Sequence, residues 1–221
     1  MDGQIPPPGI YPRYVKRGAD ILLVLLFLVC GGWIVLLLLT LLVRFFLGTP
    51  VIFRQERPGL NEKPFQLYKF RTMTDRRDAD GNLLPDQERL TKAGLLLRKT
   101  SLDELPEIWN ILRGEMSFIG PRPLLMRYLP YYTDEERKRA LVRPGISGLA
   151  QVRGRNLLTW KKRFEADVEY VNNISLLLDV KIIFQTFAAL FRTDEIKIGD
   201  SNLLLDFDVE RKQEIEASGK K

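Results

Sequence analysis

The 221-residue chain contains no histidine and a single cysteine, Cys30. Without histidine, Ser-His-Asp and Cys-His nucleophile pairs, the His-based zinc motifs and a phosphohistidine carrier are all excluded. One cysteine allows no internal disulfide, so nothing points to an oxidising compartment. The glycine-rich nucleotide signatures G-x-x-x-x-G-K-[ST] and G-x-G-x-x-G are missing as well. Any catalysis must rest on carboxylates, Arg and Lys, hydroxyls or a hard metal ion.

The composition is that of a folded chain, 45% hydrophobic and 28% charged, with a formal charge of +6 and a pI near 9.4. A basic balance suits nucleic acid, anionic lipid or phosphorylated small molecules and does not choose among them. The longest apolar run is more telling. From Ile21 to Val43 there is no charge. About 23 residues at about 1.5 Å each reach roughly 35 Å, enough to cross a hydrocarbon core of about 30 Å. Two features argue for a bend and return instead. Gly31-Gly32 divide the run into halves too short to span, and both flanks are basic: Arg13, Lys16 and Arg17 before, Arg44, Arg54 and Arg57 after.

The pattern predicts an α+β fold, predominantly helical, in four parts. Residues 1–12 form a flexible lead-in and 13–48 a membrane-inserted helix, spanning by hydropathy alone or re-entrant by its glycine pair and two-sided basic flanks. Residues 49–192 form a cytoplasmic catalytic domain, and 193–221 a C-terminal tail. Within the domain, 51–71 reads as a small β-hairpin and 74–89 as a loop. Helical patterns cover 89–99, 102–113, 133–142, 159–172 and 174–191. Thr133 and Glu136 stand at capping-box spacing. The last pattern carries Asp179, Lys181 and Gln185 among apolar residues, which suits an amphipathic interfacial helix better than a span.

Chemistry gathers around Asp103-Glu104, within Ser101-Leu-Asp-Glu-Leu-Pro-Glu. Ser101 and Glu104 could form a capping box, with acids complementing the helix dipole. Pro106 opposes this, since it would remove a backbone hydrogen bond and move the helix start towards itself, leaving the two acids at a bend. Cations sit in or beside stiff turns at Lys69-Phe-Arg71, Arg98-Lys99, Pro121-Arg122-Pro123, Arg143-Pro-Gly and Arg153-Gly-Arg155. A turn-borne Arg can present a bidentate fork to phosphate. Taken singly, each also reads as a solvated surface charge, and the nearby glycines as plain turn formers. The residues alone suggest Mg²⁺-assisted phosphoryl chemistry and go no further.

The ordered motifs Lys16-Arg17…Asp20, Phe53-Arg-Gln-Glu-Arg-Pro-Gly, Tyr68-Lys-Phe-Arg-Thr-Met, Ser101-Leu-Asp-Glu-Leu-Pro, Gly114-Glu-Met-Ser-Phe-Ile-Gly-Pro-Arg-Pro and Val142-Arg-Pro-Gly-Ile-Ser-Gly resemble the bacterial sugar transferases. These are the monotopic phosphoglycosyl transferases. The likeness runs from about residue 14 to 192, and is to the small branch typified by the enzyme that starts the Campylobacter N-linked glycan. It implies transfer of a phospho-sugar from a UDP-sugar donor to undecaprenyl phosphate, with release of UMP. Asp103 matches the family nucleophile, which forms an aspartyl phospho-sugar, and Glu104 its partner. Both are expected near Mg²⁺ as metal ligands. By motif, Lys69, Arg71, Arg98, Arg122, Arg143 and Arg155 inherit substrate-binding roles.

The resemblance further implies contact with inner-membrane lipid at the cytoplasmic face of a bacterial inner membrane, downstream glycosyltransferases as candidate partners, and no nucleic acid. The stretch from Arg143 to Asn156 is closer to members that use N-acetylated sugars. One departure stands out: where the family has Ser-Pro at the helix break, this chain has Gly32-Trp33. Two other classes are compatible with an anchored acidic-and-basic site. A binding or scaffolding protein would release no nucleotide, and a diphosphate hydrolase would ignore the lipid acceptor.

Overall fold

The computed structural model describes residues 9–154, 158–190 and 205–218. One continuous helical segment, Tyr11–Leu47, is long and apolar enough to cross a membrane. It is kinked into two arms, α1 (Lys16–Phe27) and α2 (Trp33–Leu47), joined by a π-helical turn at Leu28–Gly32. The glycine pair makes the kink in two ways. Gly31 adopts φ +94°, which an L side chain resists. At Gly32 a Cβ would stand 2.4 Å from the Phe27 ring.

Both arms pack on the same domain. Val24 of α1 joins Phe65, Leu67, Ile108, Ile111 and Met116 in one buried cluster. Leu39, Val43 and Leu47 recur every fourth residue along α2 and meet Phe70 and Leu97 in another. The opposite faces, including Leu22, Leu26, Val29, Leu38, Leu41 and Phe45, are exposed. Polar bolts reinforce α1. Lys16 pairs with Asp179 at 2.6 Å, Arg17 donates to the carbonyls of Ile111 and Leu112, and Asp20 accepts from the Ser117 hydroxyl and the Phe118 N–H.

Strands β1 (Ile52–Pro58) and β2 (Pro64–Phe70) form the expected antiparallel hairpin, with Phe53 opposite Lys69 and Arg57 opposite Phe65. The expected loop 74–89 ends in a single turn, α3 (Asp86–Arg89), and α4 (Lys92–Lys99) follows. The helix expected over 102–113 is broken. A 3₁₀ turn at Leu102–Glu104 precedes α5 (Glu107–Arg113). The capping box at Ser101 does not form, because Ser101 takes a left-handed φ of 55° and its side chain caps nothing. Pro106 at the helix entrance decides this, as its missing N–H forbids a continuous helix.

Strand β3 (Ser117–Ile119) pairs in parallel with β4 (Gly145–Ser147), a contact that three-residue strands about 25 residues apart do not announce in sequence. Between them, α6 (Asp134–Arg137) starts with the predicted capping box of Thr133 and Glu136 and runs on as a 3₁₀ turn, Lys138–Leu141. Helices α7 (Leu149–Gly154), α8 (Trp160–Asn172) and α9 (Leu176–Leu190) complete the main cluster. Along α9, Leu176, Leu177, Phe184 and Phe187 face outward while Asp179 and Ile182 are buried, the amphipathic division expected there.

The sequence pattern makes residues 193–221 a tail. Its described part is a helix, α10 (Phe207–Ser218), which docks on the domain. Phe207 is buried among Tyr128, Tyr132, Trp160 and Phe164, and the Trp160 indole N–H donates to the Leu205 carbonyl at 2.9 Å. Arg211 pairs with Glu136 at 2.6 Å. Phe207→Ala should lower stability by about 3–5 kcal/mol, as deletion of a buried ring does. Thermal unfolding of the detergent-solubilised protein would show the drop, and an unchanged midpoint would exclude α10 from the core.

Candidate active site

The site lies where β2, the 3₁₀ turn at 102–104, the first turn of α5 and the Gly120–Pro123 segment meet. Asn110, fully buried on α5, joins helix to hairpin. Its side-chain carbonyl accepts from the Tyr68 N–H at 3.2 Å, and its NH₂ donates to the Gln66 carbonyl at 2.7 Å. These bonds bring Lys69 over the acidic turn. The Lys69 ammonium is 2.6 Å from Glu104 Oε1 and 3.2 Å from Glu107 Oε1. From the other side an Arg122 guanidinium nitrogen reaches the same Glu104 oxygen at 2.6 Å.

Glycines place Arg122, and they do more than turn the chain. A Cβ on Gly120 would lie 2.4 Å from the Arg143 carbonyl oxygen, and one on Gly145 would lie 2.1 Å from the Gly120 nitrogen. The β3–β4 pairing needs backbones at that distance, so both positions exclude a side chain. Arg139 then fixes the peptide. It is buried in a pair with Asp167 at 2.8 Å and donates to the Arg122 carbonyl at 2.7 Å.

The three carboxylates differ in environment. Burial would raise Glu104, but Arg122 and Lys69 outweigh it and hold this carboxyl well below the usual range. Burial raises Glu107, and the neighbouring Glu104 charge adds to the effect against Lys69. Burial also raises Asp103, with Glu104 adding and Lys69, Arg122 and Arg98 opposing. Asp103 accepts no hydrogen bond from the described residues, whereas Glu104 is tied to two cations. One acid is clamped and the other keeps its lone pairs available.

The structure gathers Lys69, Arg98 and Arg122 around Asp103 and Glu104; Arg98 is steadied by its bond to the Thr72 hydroxyl at 2.9 Å. Arg71 is used otherwise, donating to the Thr49 and Met73 carbonyls and to Asp75. Arg143 donates to the Gly114 carbonyl, at the C-terminal end of α5. Seven residues of helix separate that end from the acidic turn, roughly 10 Å. Arg155 lies outside the described residues. Glu107 and Asn110 were not singled out from sequence. Glu107 follows Asp103 by four positions, the spacing that shares a helix face, and that signal was available. Asn110 carried none.

A long, kinked apolar helix packed on a domain in which two cations clamp Glu104 beside Asp103 defines a membrane-held enzyme built to handle phosphate groups. The chain belongs to the bacterial sugar transferase family, whose profile matches residues 11–193. It is 53% identical over 172 residues to the uncharacterised sugar transferase EpsL of Bacillus subtilis, covering 78% of this chain and 85% of that one. It is 40% identical over 169 residues to the UDP-glucose:undecaprenyl-phosphate glucose-1-phosphate transferase of Caulobacter vibrioides, covering 72% and 63%. Against the undecaprenyl-phosphate galactose phosphotransferase of Salmonella typhimurium it is 34% identical over 199 residues, covering 82% and 41%. The chain thus spans less than two thirds of the latter two.

Asn110→Leu should remove about 2 kcal/mol of stability by leaving the Gln66 carbonyl and Tyr68 N–H without their partner. Thermal unfolding would register it, with turnover falling in parallel as Lys69 loses its register. Unchanged values for both would show that the hairpin is positioned by other contacts.

Proposed function

We propose that this protein transfers a phospho-sugar from a UDP-sugar, N-acetylated by preference, to undecaprenyl phosphate, releasing UMP. The observation that carries the reading is the division of labour in the acid pair: Asp103 is buried and accepts no hydrogen bond from the described residues, and Glu104 is fixed between Lys69 and Arg122. An Asp103 carboxylate oxygen attacks the sugar-bearing phosphorus. The bond from that phosphorus to the UMP oxygen breaks, and UMP leaves with the electron pair. An oxygen of undecaprenyl phosphate then attacks the same phosphorus and Asp103 departs as carboxylate. A covalent intermediate lets a water-soluble donor and a lipid acceptor use one site in turn. Lys69, Arg98 and Arg122 offset the repulsion between a carboxylate and a diphosphate. Two named relatives carry out sugar-1-phosphate or sugar-phosphate transfer with undecaprenyl phosphate, which supports the general reaction.

Mg²⁺ fits this donor set. Among the described residues no three acidic or thiol groups converge into a closed metal cage. Mg²⁺ commonly takes only one or two carboxylates and completes its shell with water and substrate phosphate oxygens. Asp103 and Glu104 would hold it, and when bound it supplies further neutralisation of the diphosphate. Arg71, Arg143 and Arg155 are retained as substrate ligands on motif resemblance alone. The N-acetylated sugar rests on the likeness of residues 143–156, whereas the named relatives use glucose or galactose.

The apolar hairpin inserts in the cytoplasmic leaflet of the inner membrane and returns to the same face. Two observations support this: Gly31 kinks the helix, and Lys16 and Val43, at its two ends, are both buried against one domain. A spanning helix would put those ends on opposite sides. The lipid-linked product leaves in the plane of the membrane, where downstream glycosyltransferases are the candidate partners.

UMP release should be measured with a panel of UDP-sugars, glucose and galactose included, with Mg²⁺, with and without undecaprenyl phosphate. Acceptor-dependent release is expected, reduced about 10³-fold or more in Asp103→Asn. Release that ignores the acceptor would indicate a hydrolase, and none from folded protein a binding role. For topology, single cysteines placed at Arg13 and Thr49 in a Cys30→Ser background should both label from the cytoplasmic side. Labelling from opposite sides would overturn the re-entrant reading.

A further inference from the structure

A second guanidinium stands beside Arg122 and takes no part in the scheme above. Arg57 ends β1. One of its terminal nitrogens donates to the Gln55 side-chain carbonyl at 2.6 Å, and the other to the Pro123 carbonyl at 3.4 Å. Its Nε is buried with no acceptor among the described residues, and no carboxylate pairs with it there. Arg57 is therefore tethered to the residue after Arg122. Arg122 commits one nitrogen to Glu104 and keeps a side chain that is 43% exposed. Burial, and then the Arg122 charge, push the Arg57 guanidinium down to about 10, so it stays charged at neutral pH. Two adjacent cations with donors left over are costly until an anion bridges them.

Arg122 links this guanidinium to the acid pair. It reaches Glu104 at 2.6 Å, next to Asp103 in the chain, while Arg57 donates to the carbonyl of the following residue, Pro123. A diphosphate attacked at one phosphorus by Asp103 can therefore lay its second phosphate across Arg122 and Arg57. The cradle is rigid. Arg139 and Asp167 hold the Arg122 peptide, and the Gly120–Gly145 contact holds the segment before it.

We infer that Arg57 and Arg122 form a fork for the donor phosphate that departs with the nucleotide, making Arg57 a substrate-binding residue of this site. The inference rests on the UDP-sugar reading of the site. It also sets a direction along the cleft, with the sugar-bearing phosphate at Asp103 and the nucleotide towards β1.

The test is calorimetric binding of UMP, uridine and a short-chain polyprenol phosphate to the full-length protein in detergent, with Mg²⁺, for the wild type, Arg57→Gln and Arg57→Lys. Arg57→Gln should weaken UMP on the order of tenfold or more, as loss of a charge-assisted pair does. Arg57→Lys, which keeps the charge but loses the fork, should weaken it severalfold. Uridine and the polyprenol phosphate should bind all three proteins alike. Unchanged UMP affinity in Arg57→Lys would overturn the inference even if Arg57→Gln fails to fold. Equal loss for uridine, or loss confined to the polyprenol phosphate, would overturn it too. Because binding is read without turnover, wild-type protein that binds UMP but transfers no sugar would count against the proposed reaction and leave the fork standing.

Discussion

Lys16 and Asp179 are buried against each other at 2.6 Å, with the Tyr170 hydroxyl donating to the second Asp179 oxygen at 2.7 Å. This pair ties the start of the apolar helix to α9. Breaking a buried pair leaves a charge without a partner, typically at a cost of about 3–5 kcal/mol, so the two elements keep one relative position. Depth follows from that. The kinked apolar helix and the outward face of α9 present apolar side chains, while Arg17, next to Lys16, grips the end of α5 and Asp20, one turn on, grips β3. The acidic turn sits at the other end of α5. A lipid-borne phosphate and a water-borne donor can share a site only if its distance from the membrane does not wander.

Within the site, charge is organised by unequal partnership. Three carboxylates fall between Asp103 and Glu107, and mutual repulsion would scatter them if all were equivalent. Lys69 and Arg122 converge on Glu104 and make it the anionic anchor. Glu107 shares Lys69 at longer range and is raised by burial, so it holds its proton more readily. Among the described residues, Asp103 has neighbours that act through space but none that hydrogen-bonds to its oxygens. The arrangement is preorganised: Arg122 is held at Glu104 by the bond from Arg139 to its carbonyl, and Arg139 in turn by Asp167.

Much of this could be read along the chain. The apolar run and its glycine pair announce a long apolar helix interrupted near Gly31, because length and glycine's backbone freedom are local properties. The β-hairpin, the capping box at Thr133 and the helix over 160–172 also follow from short-range pattern. The same local logic misled at Ser101, where a plausible capping box loses to Pro106 two residues after Glu104. Arg71 and Arg143 look like equals of Arg122 in sequence, yet one binds loop carbonyls and the other the end of α5. Cation identity is visible in a sequence, but the acceptor it finds is not.

By itself the sequence determined the chemistry available: no histidine, an adjacent acid pair, turn-borne cations and an apolar stretch about as long as a bilayer is thick. Those depend on residue type and near neighbours. Tertiary structure decided which acid is clamped and which is free, which arginines face it, and that Arg57 stands beside Arg122. Those depend on the close backbone approach of Gly120 and Gly145 and on Asn110 joining hairpin to helix. Such contacts link positions about 25 to 45 residues apart, a range over which no periodicity carries a signal.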